Sequence, residues 1–251
     1  MKVFATYNIK GGVGKTSTAV NLAYLAAREG QRTLLWDLDP QAAATYVFRV
    51  RARVKGGGHG LVTRKRPIEA ALRATDFDNL DLLPADFSYR NMDLQLDDAK
   101  KRTRRLDQLL SGVADDYDLA FLDCPPSVSL VSENVLRAAD VLLVPLIPAT
   151  LSLRTYAQLT RFVADAPRPR PAVIAFFSMA DRRKRLHREV IDTVPRDHNP
   201  RIANTVIPSM ALIEQMAEHR APVPAFAPTS TAARYYEQLW AEIGGGSSPG
   251  D

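Results

Sequence analysis

A glycine-rich segment near the beginning of the chain constrains the fold more than any other feature of the sequence. Residues 10–17 read KGGVGKTS, and they lie between an apolar run at residues 3–7 and an Ala- and Leu-rich stretch that stops at Gly30. Glycines allow successive backbone N–H groups to turn towards one centre, and the beginning of a helix adds partial positive charge there. A strand, this loop and a helix in that order predict a phosphate-binding site in an α/β fold.

The loop residues have separate roles in this prediction. We expect Lys15 to reach the β- and γ-phosphates of a bound nucleotide and the Thr16 hydroxyl to coordinate Mg²⁺. A glycine-rich turn that binds nothing is the simpler interpretation of a Gly-Lys-Thr tripeptide, but the flanking strand and helix oppose it. The strict motif has glycine at position 9, where this chain has Ile9. The predicted nucleotide-binding residues are Gly11, Gly12, Val13, Gly14, Lys15, Thr16 and Ser17.

Short apolar runs alternate with longer amphipathic stretches along the rest of the chain. This alternation is typical of strand-helix-strand units around a mostly parallel sheet. Helices are predicted over residues 16–29 and 92–110 and along the apolar stripe formed by Leu186, Val190 and Val194. The predicted strands are residues 3–7, 33–36, 80–83, 119–122, 141–145, 173–177 and 204–207. The predicted fold is therefore α/β, a mostly parallel twisted sheet with helices on both faces, in a single domain over residues 1–243.

Two segments break this pattern. Residues 49–66 surround three consecutive glycines and contain seven lysines and arginines but no acidic residue. Such a composition predicts a mobile basic loop rather than a packed element. Residues 244–251 read GGGSSPGD and are interpreted as a disordered tail.

Composition excludes several classes of protein. The 251 residues carry 33 basic and 28 acidic side chains, a net charge of +5, and 46% of them are apolar, as in an ordinary folded protein. No apolar run approaches the roughly 18 residues that span a bilayer, and the first residues do not form a secretion signal. Cys124 is the only cysteine. It cannot form an internal disulfide, which fits the reducing cytoplasm.

Acidic residues follow two of the predicted strands. Asp123 ends an apolar run, where a carboxylate can hold Mg²⁺ directly or through water, or alternatively cap the next turn. Asp37 and Asp39 are two residues apart, so on an extended strand end their side chains point to the same side. Two carboxylates that face a phosphate site repel each other unless a cation or water lies between them. A helix cap or a salt bridge in a loop is the alternative role for Asp37.

Taken together, these motifs resemble the ParA/MinD family of deviant Walker A ATPases. The resemblance is carried by KGGVGKTS with its additional Lys10, by DLDPQ at residues 37–41 and by FLDCPPS at residues 121–127. Further segments are similar to the family in order and spacing, so the resemblance extends over nearly the whole chain: residues 139–145, 151–153, 179–181, 207–208 and 235–243. It implies a P-loop NTPase fold and hydrolysis of ATP with Mg²⁺.

The resemblance also implies roles for single residues. Asp39 would orient the water that attacks the γ-phosphate, while Asp37 would support the magnesium shell formed with Thr16 and Asp123. In the family, the lysine at position 10 crosses a dimer interface and contacts the phosphates bound by the other subunit. Lys10 would therefore act in catalysis together with Lys15, and ATP would join two copies of the chain. A solvated loop lysine is the simpler interpretation of Lys10.

The family resemblance further implies a protein that segregates or positions cargo such as a plasmid, a chromosome or a protein assembly. Hydrolysis stimulated by an adaptor protein would reset the cycle. Two other functions stay open: a P-loop kinase or ligase that acts on a small molecule, and a nucleotide-gated binding module with negligible hydrolysis. Lys10 and the pair of Asp37 and Asp39 favour the positioning ATPase over the kinase or ligase.

Basic side chains predict where such a protein would contact DNA. Clustered lysines and arginines neutralise phosphates without reading bases, which gives salt-sensitive, non-specific binding. Family members often carry arginines after an Ile-Pro pair, but here residues 209–212 contain none. The prediction therefore moves to a cluster at the beginning of an amphipathic helix, with the 49–66 segment as a second candidate and a solvated charged face as the alternative. The predicted DNA-binding residues are Arg182, Arg183, Lys184, Arg185 and Arg188.

The same reasoning opposes attachment to a membrane. The septum-site branch of the family ends in a basic amphipathic helix. This chain ends in Gly, Ser and Pro residues. We therefore expect a cytoplasmic, nucleoid-associated protein.

Overall fold

A parallel β-sheet organises the computed structural model, which describes residues 1–63, 67–99, 102–166, 169–194 and 201–244. In this part of the chain the sheet has eight strands in the order β3-β4-β2-β5-β1-β6-β7-β8. Neighbouring strands are parallel, except that β3 pairs antiparallel with β4. The strands are β1 (Lys2–Thr6), β2 (Thr33–Asp37), β3 (Arg73–Ala74), β4 (Leu80–Leu83), β5 (Leu119–Asp123), β6 (Val141–Leu146), β7 (Ala172–Ala180) and β8 (Arg201–Pro208).

Helices cover both faces of the sheet and confirm the predicted α/β class. One hydrophobic core lies under α1, α2, α10, α11 and α12, and the other lies under α3 to α8. The helices are α1 (Lys15–Arg28), α2 (Ala43–Val47), α3 (Gly57–Val62), α4 (Met92–Asp97), α5 (Arg105–Leu110), α6 (Leu130–Ala138), α7 (Thr150–Asp165), α8 (Arg185–Thr193), α9 (Ala211–Glu214), α10 (Met216–His219), α11 (Val223–Phe226) and α12 (Thr231–Glu242). None of the helices in the described ranges has the length and apolar character that crossing a bilayer requires.

Alternation along the strands divides side chains between the two cores. Phe4 in β1 stacks on Phe121 in β5 with ring centroids 5.3 Å apart, and Trp240 of α12 meets Phe4 edge-on at 5.8 Å. Buried aromatic side chains remove large apolar areas from water and favour these offset and edge-on geometries. Val3 and Ala5 point into the opposite core. Such two-sided burial explains why the strands were recognisable as continuous apolar runs.

Strand register places the acidic residues at one level. Thr6, the last residue of β1, pairs with Asp123 in β5, and Asp37, the last residue of β2, pairs with Asp123 from the other side. Since parallel strands end at the same edge of the sheet, both carboxylates lie next to the loop that follows β1.

The interpretation of residues 49–66 as a loop without a packed element is wrong for α3. Val54, Leu61 and Val62 are buried in the core shared by α3 to α8. Gly58 makes this packing possible, since a Cβ there would come within 2.8 Å of the Gln95 side chain and 3.1 Å of the Tyr89 ring. A glycine whose presence suggests a flexible loop therefore allows α3 to pack closely against its neighbours. Residues 64–66 of this segment, and residues 245–251 of the predicted tail, lie outside the described residues.

The single helix predicted over residues 92–110 is also wrong, because two helices, α4 and α5, occupy its ends. The Asn134 side chain of α6 accepts hydrogen bonds from the backbone N–H groups of Arg105 (2.7 Å) and Leu106 (3.2 Å). These bonds satisfy donors at the beginning of α5, so a new helix begins there. Leu94 of α4 is 70% exposed, so not every leucine in this stretch faces the core.

Candidate functional site

Two glycines shape the loop that joins β1 to α1. Gly12 and Gly14 have φ values of 66° and 93°, in the left-handed region that side chains disfavour. A Cβ on Gly14 would also lie only 2.7 Å from the Ser178 hydroxyl of β7. The carbonyl of Gly14 accepts hydrogen bonds from the Thr18 N–H (3.1 Å) and hydroxyl (2.7 Å), which fixes the beginning of α1. The loop therefore has the strand-loop-helix geometry that the sequence predicts for a phosphate site.

An open cavity of about 240 Å³ lies over this loop. Its lining contains all the predicted nucleotide-binding residues together with Asp39 and Pro126, whereas Lys10 is not among the lining residues: Gly11, Gly12, Val13, Gly14, Lys15, Thr16, Ser17, Asp39 and Pro126. The fold thus brings Asp39, from the end of β2, to the loop that follows β1. The position of Lys10 outside its own cavity agrees with a role towards another subunit but does not test it.

Lys15 is held inside the loop. Its side chain is 6% exposed, and its ammonium donates a hydrogen bond to the Lys10 carbonyl at 3.0 Å. Burial lowers the pKa of Lys15, while the nearby carboxylates of Asp123 and Asp39 act in the opposite direction. A cation placed at a glycine-rich loop in this way is suited to bind phosphate oxygens.

The backbone of Lys10 is positioned by a residue that the sequence analysis missed. Asn8 is buried, and its side chain accepts a hydrogen bond from the Lys10 N–H (2.9 Å) and donates one to the Pro145 carbonyl of β6 (2.8 Å). Asn8 therefore ties the loop to the neighbouring strand. An asparagine directly after a strand and before glycines is typical of such turns, and this local signal was available in the sequence.

Asp123 has the environment of a metal-binding carboxylate. It is fully buried, its Oδ1 lies 3.5 Å from the Thr6 hydroxyl, and its Oδ2 has no hydrogen-bond partner among the described residues. Burial and the neighbouring Asp37 raise the pKa of Asp123 well above its usual value, while the Thr16 hydroxyl and Lys15 oppose this shift. A buried carboxylate oxygen without a partner, close to the hydroxyl of Thr16, fits Mg²⁺ or a water bound to it.

Asp37 is occupied by hydrogen bonds within the protein. Its Oδ2 accepts from the Thr45 N–H (2.8 Å) and hydroxyl (2.7 Å), and its Oδ1 accepts from the Asp39 N–H (3.2 Å). Burial raises the pKa of Asp37 to about 6, and these hydrogen bonds act in the opposite direction. These hydrogen bonds match the alternative role of Asp37 as a helix cap, because Thr45 lies in the first turn of α2. A role for Asp37 in the magnesium shell stays a prediction.

Asp39 lines the cavity, and its carboxylate accepts fewer hydrogen bonds than that of Asp37. Its Oδ1 accepts a hydrogen bond from the Gln41 N–H at 2.9 Å, and the residue is half-buried. A carboxylate that lines the phosphate cavity and remains accessible is placed to hold a water molecule there. This position supports, without testing, the predicted role in orienting the attacking water.

A second cavity of about 240 Å³ adjoins the phosphate loop and shares Gly12, Gly14 and Ser17 with it. The remaining lining is mostly apolar and comes from the ends of β7 and β8, α9 and α12: Ser178, Met179, Ile207, Pro208, Ser209, Met210, Ile213, Glu214 and Tyr236. Its size and position suit the base of a nucleotide whose phosphates lie on the loop. The sequence analysis assigned no base-contacting residues, because these positions lie up to about 220 residues from the loop.

The predicted DNA-binding residues lie together on the surface, at the same edge of the sheet as the phosphate loop. Two are paired within the chain, Arg183 with Asp181 (2.9 Å) and Arg185 with Glu189 (2.6 Å). Arg185 and Arg188 lie in α8, whose buried side chains are His187 and Val190, and the other three basic residues directly precede it. The predicted apolar stripe is thus only partly correct, because Leu186 is 47% exposed. The exposed basic residues are Arg182, Arg183, Lys184, Arg185 and Arg188.

Comparison with known proteins agrees with this geometry. A family model described as an AAA domain matches residues 1–169. The sporulation initiation inhibitor protein Soj of Bacillus subtilis is 31% identical over 247 residues, covering 96% of this chain and 98% of Soj. The chromosome-partitioning ATPase Soj of Treponema pallidum is also 31% identical, covering 96% of both chains.

The fold is also similar to solved structures. Cobyrinic acid a,c-diamide synthase from Mycobacterium smegmatis, solved with a bound ATP analogue and magnesium, is 26% identical with a TM-score of 0.80. That similarity covers 96% of this chain and 92% of the synthase. Both the sequence relatives and this structure therefore match the chain over nearly its whole length.

Proposed function

Because this chain belongs to the ParA/MinD family of deviant Walker A ATPases, we propose that it is a positioning ATPase that dimerises on ATP and binds DNA non-specifically. The chain is an ATPase, and it uses ATP with Mg²⁺. Its cargo would be a plasmid, a chromosome or a protein assembly, and an adaptor protein would stimulate hydrolysis. We further propose that the protein works in the cytoplasm, associated with the nucleoid.

The observation that carries this proposal is the meeting of Asp39, Asp123 and the loop residues Lys15 and Thr16 at one edge of the sheet. Lys15 and the loop N–H groups bind the phosphates, and Thr16 and Asp123 are the residues that would hold Mg²⁺. Bound Mg²⁺ supplies positive charge to the phosphate oxygens. Asp39 orients the attacking water, and positioning with charge stabilisation does most of the work in phosphoryl transfer.

Lys10 would complete the site of a second copy. Its backbone is fixed by Asn8, while its side chain is free of the cavity that its own loop forms. A cation delivered from a partner neutralises charge on the triphosphate only when two subunits are paired. ATP would then hold the subunits together, and hydrolysis would release them.

The basic cluster at residues 182–188, which leads into α8, supports binding to DNA. Its five side chains are exposed on the edge of the sheet that also carries the phosphate loop. This arrangement gives a concentrated positive surface without an obvious means of reading bases, which favours non-specific contact with phosphates. The exposed arginines of the 49–66 segment, Arg49, Arg51 and Arg53, are a second candidate surface.

A small-molecule ligase is the rival function, and the similarity to the diamide synthase favours it. Steady-state turnover of purified protein separates the two. The proposed function predicts that ATP hydrolysis needs no metabolite and rises when non-specific duplex DNA and the adaptor protein are added together. Turnover that stays at background with DNA and adaptor, and appears only with an amidation substrate, would contradict it.

A further inference from the structure

Thr45 joins three parts of the structure through one buried hydroxyl. Its side chain is inaccessible to solvent, and its hydroxyl donates to Asp37 Oδ2 at 2.7 Å. The Thr45 N–H donates to the same oxygen at 2.8 Å. The hydroxyl also accepts a hydrogen bond from the Ala85 N–H at 2.9 Å, just after β4. The end of β2, the first turn of α2 and the segment after β4 are therefore fixed to each other.

This set of bonds continues to the phosphate cavity. Asp37 Oδ1 accepts from the Asp39 N–H at 3.2 Å, and Asp39 lines the cavity. Thr45 is not among the residues that line it. Thr45 therefore holds Asp37 with two donors, and Asp37 accepts one of the hydrogen bonds that fix the Asp39 backbone, the other being from the Ala42 N–H to the Asp39 carbonyl at 2.9 Å.

We propose that Thr45 is a positioning residue for ATP hydrolysis: it holds Asp37 so that the Asp39 carboxylate stays aimed at the attacking water. This inference rests on the role of Asp39 in the proposed function. Thr45 acts through Asp37 and Asp39, and it contacts neither the nucleotide nor the reacting atoms.

The physical reason is the cost of leaving buried polar groups without partners. Without the hydroxyl, Asp37 Oδ2 keeps only the Thr45 N–H as a donor, and the buried Ala85 N–H loses its acceptor. Asp37 is then held by two hydrogen bonds instead of three, and a shift of its carboxylate moves the Asp39 N–H that donates to it. Small errors in the position of a reacting group reduce rates strongly, whereas the loop residues that bind the phosphates remain in place.

The test compares Thr45→Val, which has nearly the same shape without the hydroxyl, with Thr45→Ser, which keeps it. We expect Thr45→Val to lower kcat about tenfold with KM for ATP within about twofold of the parent, and Thr45→Ser to restore kcat to within about twofold. The matched control is Thr33→Val at the other end of β2, where the threonine is equally buried and its hydroxyl donates to the Gln31 carbonyl at 2.9 Å. Thr33→Val should lower the Tm but keep kcat.

Asp39→Ala, measured in parallel, separates the inferred role of Thr45 from the proposed role of Asp39. If Asp39→Ala loses turnover but Thr45→Val keeps the kcat of Thr33→Val at a similar Tm, the inference about Thr45 is overturned alone. Thr45→Ser that falls as far as Thr45→Val would overturn it as well, because the hydroxyl would not be the determinant. Parental turnover in Asp39→Ala would overturn the role of Asp39 and, with it, this inference.

Discussion

Gly14 shows how one residue decides whether the phosphate loop forms. Its φ of 93° disfavours a side chain, and a Cβ there would lie 2.7 Å from the Ser178 hydroxyl, so that the hydroxyl or the loop would have to move. Gly30 has a similar φ of 88°, but no atom lies within 4 Å of the corresponding Cβ position. A side chain at Gly30 would therefore strain only the backbone, whereas a side chain at Gly14 would also meet a neighbouring group.

We predict that Gly14→Ala weakens binding of ATP with Mg²⁺ at least about tenfold, because the added Cβ strains the left-handed backbone and displaces either the loop or the Ser178 hydroxyl beside it. Gly30→Ala is the matched control, and it should destabilise the fold by about 1–2 kcal/mol while leaving the affinity unchanged. Titration calorimetry and thermal unfolding of both variants measure the two effects. Parental affinity in Gly14→Ala would show that the loop does not bind the phosphates as described.

Residues identified by short local motifs were predictable, and those identified by distant contacts were not. The glycine-rich loop and Asp123 depend on neighbours in sequence, so the motifs predicted their places after β1 and at the end of β5, while their roles stay predictions. Thr45 was missed because its importance comes from hydrogen bonds to Asp37 and Ala85, 8 and 40 residues away. The cavity beside the loop was missed for the same reason.

At the scale of elements, packing decided what composition left ambiguous. Gly58 of α3 permits close contact with Tyr89 and Gln95, although several glycines in one segment are typical of a loop. The break between α4 and α5 depends on Asn134 of α6, which the apolar pattern of residues 92–110 does not reveal. The strands were found more reliably, because burial on both faces makes each one a continuous apolar run.

The basic cluster at residues 182–188, which leads into α8, is the segment to which we assign DNA binding. Arg182 and Lys184 are exposed. We predict that Arg182→Ala combined with Lys184→Ala weakens binding to non-specific duplex DNA, because two phosphate contacts are lost. The slope of log affinity against log salt should fall by about two. Fluorescence anisotropy over a salt series with an ATP analogue measures both quantities.

The matched control for this charge change is Lys2→Ala combined with Arg234→Ala, which removes the same charge from exposed positions outside residues 182–188. This control should keep the parental slope. If both double variants keep the parental affinity and slope, DNA is not bound through the cluster at residues 182–188. Residues 49–66 would then be the surface to test.

At the scale of the whole molecule, one edge of the sheet carries every feature of the account. The phosphate loop after β1, the acidic residues that end β2 and β5 and the basic cluster after β7 all lie there. Parallel strands explain this arrangement, since their carboxyl ends meet at one edge. The proposed dimer would dock a second copy on this edge, so that the Lys10 of each subunit could reach the phosphates bound by the other.

The most direct test of this account is the oligomeric state with Mg²⁺ and a non-hydrolysable ATP analogue, measured by sedimentation velocity. We predict that the parent becomes a dimer, that Lys10→Ala binds the analogue but remains a monomer, and that the control Lys2→Ala dimerises like the parent. A parent that stays monomeric when saturated with the analogue, or a Lys10→Ala variant that dimerises fully, would contradict the central claim.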